Sequence, residues 1–163
     1  MAVALAPGQL RRRRDRIADY LDVWGDLTID DAGEATGWRR LEYLVRAPGH
    51  DLPDEVVVRH RESYRMTKRG DWLIAKYTYE YLDLLRGRRL AYHMHDLGRR
   101  QRVPHAHCGA ADSLDDDDDR DHLRAVELDS REAHTIFMQI YASGSELDCS
   151  SFLPLDVSRT MDD

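Results

Sequence analysis

The chain has 163 residues, a formal net charge of −7 and 34% charged side chains, which excludes a wholly basic nucleic-acid-binding protein. With 42% apolar residues it has enough material for a modest core without disulfide staples. Its two cysteines match neither a disulfide framework nor a paired-cysteine zinc motif. The N-terminal residues lack the charge order of a secretory signal, and no window approaches the ~20 apolar residues of a membrane span. We therefore expect a cytoplasmic protein with reduced thiols and no membrane partner.

Residues 1–49 are predicted to form an N-terminal helical segment. Residues 9–24 place apolar side chains at helical spacing, and Gly25 is the expected end of this helix. The next stretch, LTIDDAGEATGWRRLEYLVRAPG, favours a short helix, a turn at Gly37 and a second short helix to about Arg46. The arginines of the first helix are expected to be solvated. They are Arg11, Arg12, Arg13, Arg14 and Arg16, and the apolar stripe is Leu10, Ile17, Tyr20, Leu21 and Trp24.

Residues 50–149 are predicted to form an α+β domain, followed by a flexible tail over 150–163. The stretches EVVVRHRESYRM, DWLIAKYTYEYLDLL and RRLAYHMHD are rich in β-forming residues, VPHAHC reads as a short fourth strand, and HLRAVELD is a candidate fifth. The pattern of SREAHTIFMQIYASG predicts a helix that Ser130 caps and Gly144 ends. The predicted fold class is therefore α+β: an antiparallel β-meander of four to five strands with N-terminal helices and one C-terminal packing helix.

Four of the eight histidines occur in two His-x-His steps, which places imidazoles at alternate positions of two predicted strands. Because alternate strand residues share a face, His93 and His95 lie together, and so do His105 and His107. Antiparallel pairing with an index sum of 200 sets His95 opposite His105 and His93 opposite His107. The sequence therefore predicts one patch of four imidazoles. The residues expected on the other face are Met94, Ala106 and Cys108.

Such a patch suits two kinds of chemistry. Imidazole is the commonest protein ligand of transition metals, and zinc takes three or four protein ligands, with three leaving a position for water. Non-haem iron and manganese are also compatible with these ligands. Imidazole also titrates near neutral pH, which suits general acid–base catalysis.

Two residues of the preceding strand are additional catalytic candidates. If the turn between the strands uses all three residues of RGR, Tyr79 faces His95. If the turn uses only two residues, Glu80 faces His95 instead. The sequence leaves both registers open.

Arginines near the histidines are candidates for phosphate contacts, because the guanidinium fork matches phosphate oxygens. The favoured three lie in the loop that joins the two His-x-His steps: Arg99, Arg100 and Arg102. Less favoured candidates are Arg59, Arg61 and Arg65.

The run YTYEYLDLLRGRRLAYHMHDLGRRQRVPHAHC, residues 77–108, resembles the TumE-type families of bacterial toxin–antitoxin pairs. Those families have a tyrosine-rich strand, a hairpin and a short Pro-His-x-His segment, which VPHAHC matches here. AYHMHD stands where the families have an Arg-Tyr-Asp signature. The resemblance covers roughly a fifth of the chain, and it implies a small cytoplasmic toxin-like protein that acts on RNA and is encoded beside a neutralising antitoxin protein.

Under this resemblance, the chemistry would be phosphodiester cleavage without a metal. One histidine of the patch would act as general base and another as general acid. An arginine or Tyr79 would stabilise the charged phosphorane.

Two alternatives stay open at the level of the sequence. The PHAH step is similar to the Pro-x-His-x-His metal motif of cupins, although it lacks one intervening residue and has only Asp112 nearby as a carboxylate; a zinc or other divalent metal site would follow. LTIDDAGEATGWRRLEYLV is similar to a helix-turn-helix unit whose second helix would present Arg39 and Arg40 to DNA.

Overall fold

The computed structural model describes residues 4–33, 36–46, 56–96, 102–110, 123–124 and 127–144, which form one antiparallel sheet and two helices. The strands lie in the sheet in the order of the chain, so the topology is a meander. The predicted α+β class is confirmed, but six strands of seven or more residues replace the predicted four to five, and a two-residue strand follows them. In chain order the elements are α1 Pro7–Asp22, β1 Asp26–Ala32, β2 Trp38–Arg46, β3 Val56–Met66, β4 Trp72–Asp83, β5 Arg88–Asp96, β6 Arg102–Ala110, β7 Leu123–Arg124 and α2 Ser130–Ser143.

The sheet has two chemically different faces. Strand alternation places one set of side chains against the helices, and we call this the core face; Tyr43, Tyr64, Tyr79, Tyr92 and Ala106 on it are at most 1% exposed. We call the opposite side the polar face. Its members on β2 to β6 include Glu42, Arg61, Thr78, His93 and His105, which lie opposite one another in a single row across the strands.

Helix α1 packs on the core face through the stripe that the sequence predicts. Leu10, Ile17 and Leu21 are buried, and Pro7 occupies the first turn, where a missing N–H costs nothing. The expectation that all of the arginines of this helix are solvated is wrong for Arg13. Its guanidinium contacts Glu62, a fully buried residue of β3.

The two short helices predicted between residues 26 and 46 are absent, and β1 and β2 occupy this stretch. The segment WRRLEYLVR also alternates with a period of two, which buries Leu41, Tyr43 and Val45 on the core face. Seven cross-strand pairs with β1 and nine with β3 satisfy its backbone in the sheet. The helix-turn-helix interpretation is therefore wrong, because Arg39 and Arg40 are strand residues on opposite faces.

Strand pairing also crosses the predicted boundary between residues 49 and 50. β2 pairs with β3, so the N-terminal segment contributes one helix and two strands to the same sheet and core. An all-helical N-terminal segment is thus wrong beyond α1.

Helix α2 covers the centre of the core face. Asp129, not Ser130, is its N-cap: the Asp129 carboxylate accepts N–H groups of Arg131 and Glu132, and Glu132 reaches back to complete a capping box. The predicted end is confirmed, since Gly144 adopts φ +60°, which favours glycine. Phe137 is fully buried against Tyr81 and Tyr92, and burying such a ring contributes about 1.5–3 kcal/mol.

Two further expectations can be compared with the structure, and a third falls outside the described residues. None of the described helices combines the length and apolarity that a bilayer crossing requires. Reduced thiols are contradicted at Cys108, which is disulfide-bonded; two isolated cysteines carry no sequence pattern from which pairing can be inferred. The second cysteine, Cys149, and the predicted tail over 150–163 lie outside the described residues.

Candidate metal centre

Strands β5 and β6 bring the two His-x-His steps together, but in a different register from the predicted one. His93 lies opposite His105, Ala91 lies opposite His107, and His95 lies opposite Val103. The index sum is thus 198 rather than 200. Because side chains alternate with a period of two, a shift of two residues moves the pairs along the strand without changing their face.

Three imidazoles form a compact group on the polar face, which we call the histidine cluster: His93, His105 and His107. The ring centroids are 5.3 Å apart for His93 and His105, 4.7 Å for His93 and His107, and 5.1 Å for His105 and His107. One ring nitrogen of each residue lies within 4.8 Å of those of the other two. A small inward movement of the three rings would bring these nitrogens within the range of one metal ion.

The cluster is shielded from solvent to unequal degrees. His93 is 3% exposed and His105 is 8% exposed, whereas His107 is half-buried. His107 is therefore the member that a molecule arriving from solvent can reach. The predicted placement of Met94, Ala106 and Cys108 on the opposite face is confirmed. Met94 and Ala106 are fully buried in the core, and Cys108 packs against it.

His95 belongs to β5 through its backbone, where it pairs with Lys76 of β4 and Val103 of β6. Its side chain lies outside the described part of the structure. The described cluster thus contains three of the four predicted imidazoles.

Both predicted registers between β4 and β5 are wrong. Asp83 pairs with Arg88, so the connecting loop has four residues, and His93 faces Thr78. The Asp83 carboxylate accepts the N–H of Arg86 and stabilises this longer turn. The alternation of residues in the two strands does not predict the length of the turn between them, because that length depends on local hydrogen bonds of this kind.

Tyr79 is consequently not part of the candidate site. It lies on the core face opposite Tyr92, is fully buried, and donates a hydrogen bond of 2.6 Å to Glu62. Burial and the neighbouring Glu62 carboxylate raise the Tyr79 pKa well above its ordinary value. Its role in the described structure is to support the core.

Glu80 does lie on the polar face, but it pairs with arginines and not with a histidine. Its carboxylate is fully buried and contacts the guanidinium groups of Arg59 and Arg89, with Arg89 Nε 3.1 Å from Glu80 Oε1. Glu80 lies opposite Ala91, and Ala91 lies opposite His107. This ionic group therefore adjoins the histidine cluster across the small Ala91 side chain.

The predicted phosphate contacts fall largely outside the described residues. Arg99 and Arg100 are not described, and Arg102 is described only by its backbone, which pairs with Asp96. Asp112, the carboxylate of the cupin-like alternative, is also outside. Among the described arginines, Arg59 and Arg89 adjoin the cluster through Glu80, and Arg61 lies two strands from His93 in the same cross-strand row. The backbone of Arg124 in β7 lies opposite His105.

A buried ionic network on the core face was not predicted. Glu62 accepts hydrogen bonds from Arg13 at 2.5 Å and 3.0 Å, from Tyr79, and from Tyr64. Burial by itself lowers the pKa of Arg13, but the contacts with the Glu62 carboxylate raise it by more. The net effect is a raised pKa. The sequence signal was a glutamate at a core-face position of the alternating run VVVRHRESY, opposite an arginine-rich helix.

A second core-face group joins α2 to the sheet. His60 Nδ1 and Ser130 Oγ are 2.7 Å apart, Tyr20 also bonds to Ser130, and the rings of His60 and His134 are 6.0 Å apart. Within the described part of the chain, His60 Nε2 and His134 Nδ1 are buried and make no hydrogen bond. Burial lowers the pKa of His60 well below 6.5 and that of His134 to about 4, so both are neutral at pH 7.

Comparisons with family models, curated proteins and solved structures found no match to this chain.

Proposed function

We propose that this protein is a metal-dependent hydrolase whose divalent ion, zinc in the first instance, is held by His93, His105 and His107. The observation that carries the proposal is the convergence of one ring nitrogen from each residue within 4.8 Å. Three imidazoles are one of the ligand sets of catalytic zinc sites, which keep a fourth position for water.

The spacing is compatible with binding after a small adjustment. Zinc–nitrogen bonds of about 2.0–2.1 Å in a tetrahedron require ligand nitrogens roughly 3.3 Å apart. Side-chain rotations that move each nitrogen by on the order of 1 Å achieve this, and the strand pair β5–β6 fixes the Cβ positions. Burying polar imidazole nitrogens away from water costs free energy, and coordination of a metal ion would offset that cost.

The chain's own groups have distinct roles in this proposal. The bound ion would supply an activated water molecule and polarise the bond to be hydrolysed. His107, the half-buried member, lies at the entrance of the cluster, and buried His93 and His105 would hold the ion together with it. The Arg59–Glu80–Arg89 group beside the cluster supplies positive charge for an anionic substrate.

The test is metal uptake coupled to hydrolysis. Full-length protein, stripped with chelator and reloaded with zinc, is expected to bind one equivalent and to cleave an activated phosphodiester only when loaded. His105→Ala should abolish both properties. His134→Phe, which replaces a histidine of similar burial on the core face, should change neither. Zinc uptake that survives His105→Ala would contradict the proposal.

The same cluster supports a second candidate, a toxin-like RNA phosphodiesterase that works without metal. The unequal exposure of buried His93 and half-buried His107 favours it, because a general base and a general acid need different environments. This candidate predicts RNA cleavage in the presence of chelator with a bell-shaped pH profile. It also predicts growth arrest on expression that His107→Ala abolishes and a neighbouring antitoxin gene relieves. Cleavage that requires zinc would exclude it.

A further inference from the structure

The polar face carries a row of cationic side chains that leads away from the histidine cluster. In one cross-strand row, Arg61 of β3 lies opposite Thr78 of β4, and Thr78 lies opposite His93 of β5. In the next row, Arg59 lies opposite Glu80, and Glu80 lies opposite Ala91. With strands ~4.8 Å apart, the two arginines lie two strands, or about 10 Å, from β5, which carries His93.

The polar face also carries an exposed tryptophan, at the far end of the cationic side chains from the histidine cluster. Trp38 of β2 is on the polar face opposite Arg65 and is 38% exposed. Arg40, two residues further along β2, lies between Trp38 and Glu42. Three strand spacings and four residues separate Trp38 from His93, which corresponds to about 20 Å.

The charge along this path is positive, although the whole chain is acidic. Between Trp38 and the histidine cluster, β2 to β4 carry five cations against two carboxylates, and the edge strand β1 adds Asp30. The cations are Arg40, Arg59, Arg61, Arg65 and Lys76, and the carboxylates are Glu42 and Glu80.

The guanidinium groups are held in position for a ligand. Glu42 accepts from Arg61 Nε at 3.0 Å and from Nη2 at 3.1 Å, and Glu80 anchors Arg59. The side chains of Arg40, Arg59 and Arg61 nevertheless remain 35%, 27% and 36% exposed. In Arg59 and Arg61 the edge that carries Nε and Nη2 is occupied by the carboxylate, so a phosphate would contact the remaining, exposed part of each guanidinium group.

We propose that the polar face binds a single-stranded nucleic acid, with phosphates on Arg61 and Arg59, a base stacked on Trp38 and one phosphodiester at the histidine cluster. The inference names the substrate class of the proposed function and rests on it. A positively charged track combined with an aromatic platform is the general arrangement of single-strand binding. Stacking on Trp38 requires an unpaired base, and phosphate contacts alone read no sequence.

The test is fluorescence anisotropy of labelled single-stranded oligonucleotides of about ten nucleotides, in chelator so that no zinc-dependent step intervenes. RNA and DNA strands are measured separately to distinguish the two sources of phosphodiester, and a duplex of the same sequence is expected to bind more weakly. Trp38→Ala should weaken binding about 10-fold or more, since each stacked base contributes substantially. Arg61→Gln should weaken binding and lower the slope of log affinity against log salt by about 0.7.

The matched control is Arg39→Gln. Arg39 is 37% exposed and pairs with Asp31 in the same two-pronged manner, but it projects from the opposite face of β2. Its substitution should leave affinity and salt slope unchanged. Equal losses in Arg39→Gln and Arg61→Gln, tighter binding of duplex than of single strand, or no binding at all would overturn the proposal.

Metal uptake separates this proposal from the function on which it rests. Zinc bound by His93, His105 and His107 without strand binding would refute the nucleic-acid track alone. Strand binding that depends on Trp38 and Arg61 in a chain that takes up no zinc would refute the metal centre alone.

Discussion

Both faces of the sheet carry a buried glutamate that pairs with arginine, and the polar face adds a convergent group of three histidines. On the core face, Glu62, Arg13, Tyr64 and Tyr79 satisfy one another, and α1 and α2 cover them. On the polar face, three histidines converge and arginines remain partly exposed beside them. The polar face also holds a buried carboxylate, Glu80, but two arginines share it, so this group keeps a net positive charge beside the imidazoles. The comparison teaches that Glu62, which one arginine and two tyrosines satisfy, is explained by folding, whereas converging imidazoles beside surplus cations call for a ligand.

The largest expected effect is on the core-face network. Arg13→Met removes the cation that pairs with fully buried Glu62 and leaves a charged carboxylate among tyrosines. Breaking one partner of such a pair costs about 3–5 kcal/mol of the free energy of unfolding. Urea denaturation measures the loss. Arg12→Met, at an exposed position of the same helix, should change stability by less than about 0.5 kcal/mol.

Acidification should also destabilise the core face. His134 is neutral in the folded state down to pH about 4, whereas in the unfolded chain it binds a proton below about 6.5. Its contribution is therefore complete above pH 6.5 and is lost as the pH falls toward 4, at about 1.4 kcal/mol per pH unit. His134→Phe keeps an aromatic ring against Tyr20 and Trp24.

Denaturation curves at pH 7 and pH 4.5, recorded in chelator, measure this pH dependence. The His134→Phe variant should lose about 2–3 kcal/mol less than the parent chain between these two values. Equal losses in the two proteins would show that His134 takes up its proton in the folded state as readily as in the unfolded chain.

A smaller effect is expected at the start of α2. Asp129→Ala removes the side chain that accepts the N–H groups of Arg131 and Glu132, and loss of an N-cap costs about 1 kcal/mol. Asp129→Asn retains an oxygen acceptor and should recover most of the stability. If Ser130 were the cap, Asp129→Ala would be neutral.

The smallest effect on stability is expected on the polar face. Arg61→Gln breaks an ion pair with Glu42 that is more than one third exposed on the arginine side, and such pairs contribute less than about 1 kcal/mol. Thermal melting should therefore be nearly unchanged. A loss comparable with that of Arg13→Met would show that the two faces do not differ in the way described.

The sequence was most informative where one period dominates. The helical spacing of Ile17 and Leu21 and of Phe137 and Ile140 predicted α1 and α2, and alternation predicted β3 to β6. The shared face of His93, His105 and His107 was predicted correctly despite the wrong register, because a shift of two residues preserves strand faces.

The structure could not be predicted from the sequence where a segment fits both the helical and the strand period. It could not be predicted either where a single side-chain contact determines the arrangement. The segment over residues 38–46 fits a helix and a strand equally well, and only pairing with β1 and β3 selects the strand. The β4–β5 turn has four residues, within which Asp83 accepts a hydrogen bond from Arg86. An even number of turn residues places Glu80 on the face of the histidines and Tyr79 on the core face. The contact between Arg13 and Glu62 joins elements 49 residues apart, and no local pattern predicts such a pair.

The most direct test of the central claim is X-ray absorption spectroscopy of the full-length protein loaded with one equivalent of zinc. The account predicts three imidazole nitrogens at about 2.0–2.1 Å from the zinc and one further oxygen or nitrogen ligand. In His105→Ala the number of coordinated imidazoles should fall from three to two. A zinc spectrum without imidazole scattering, or one that His105→Ala leaves unchanged, would contradict it.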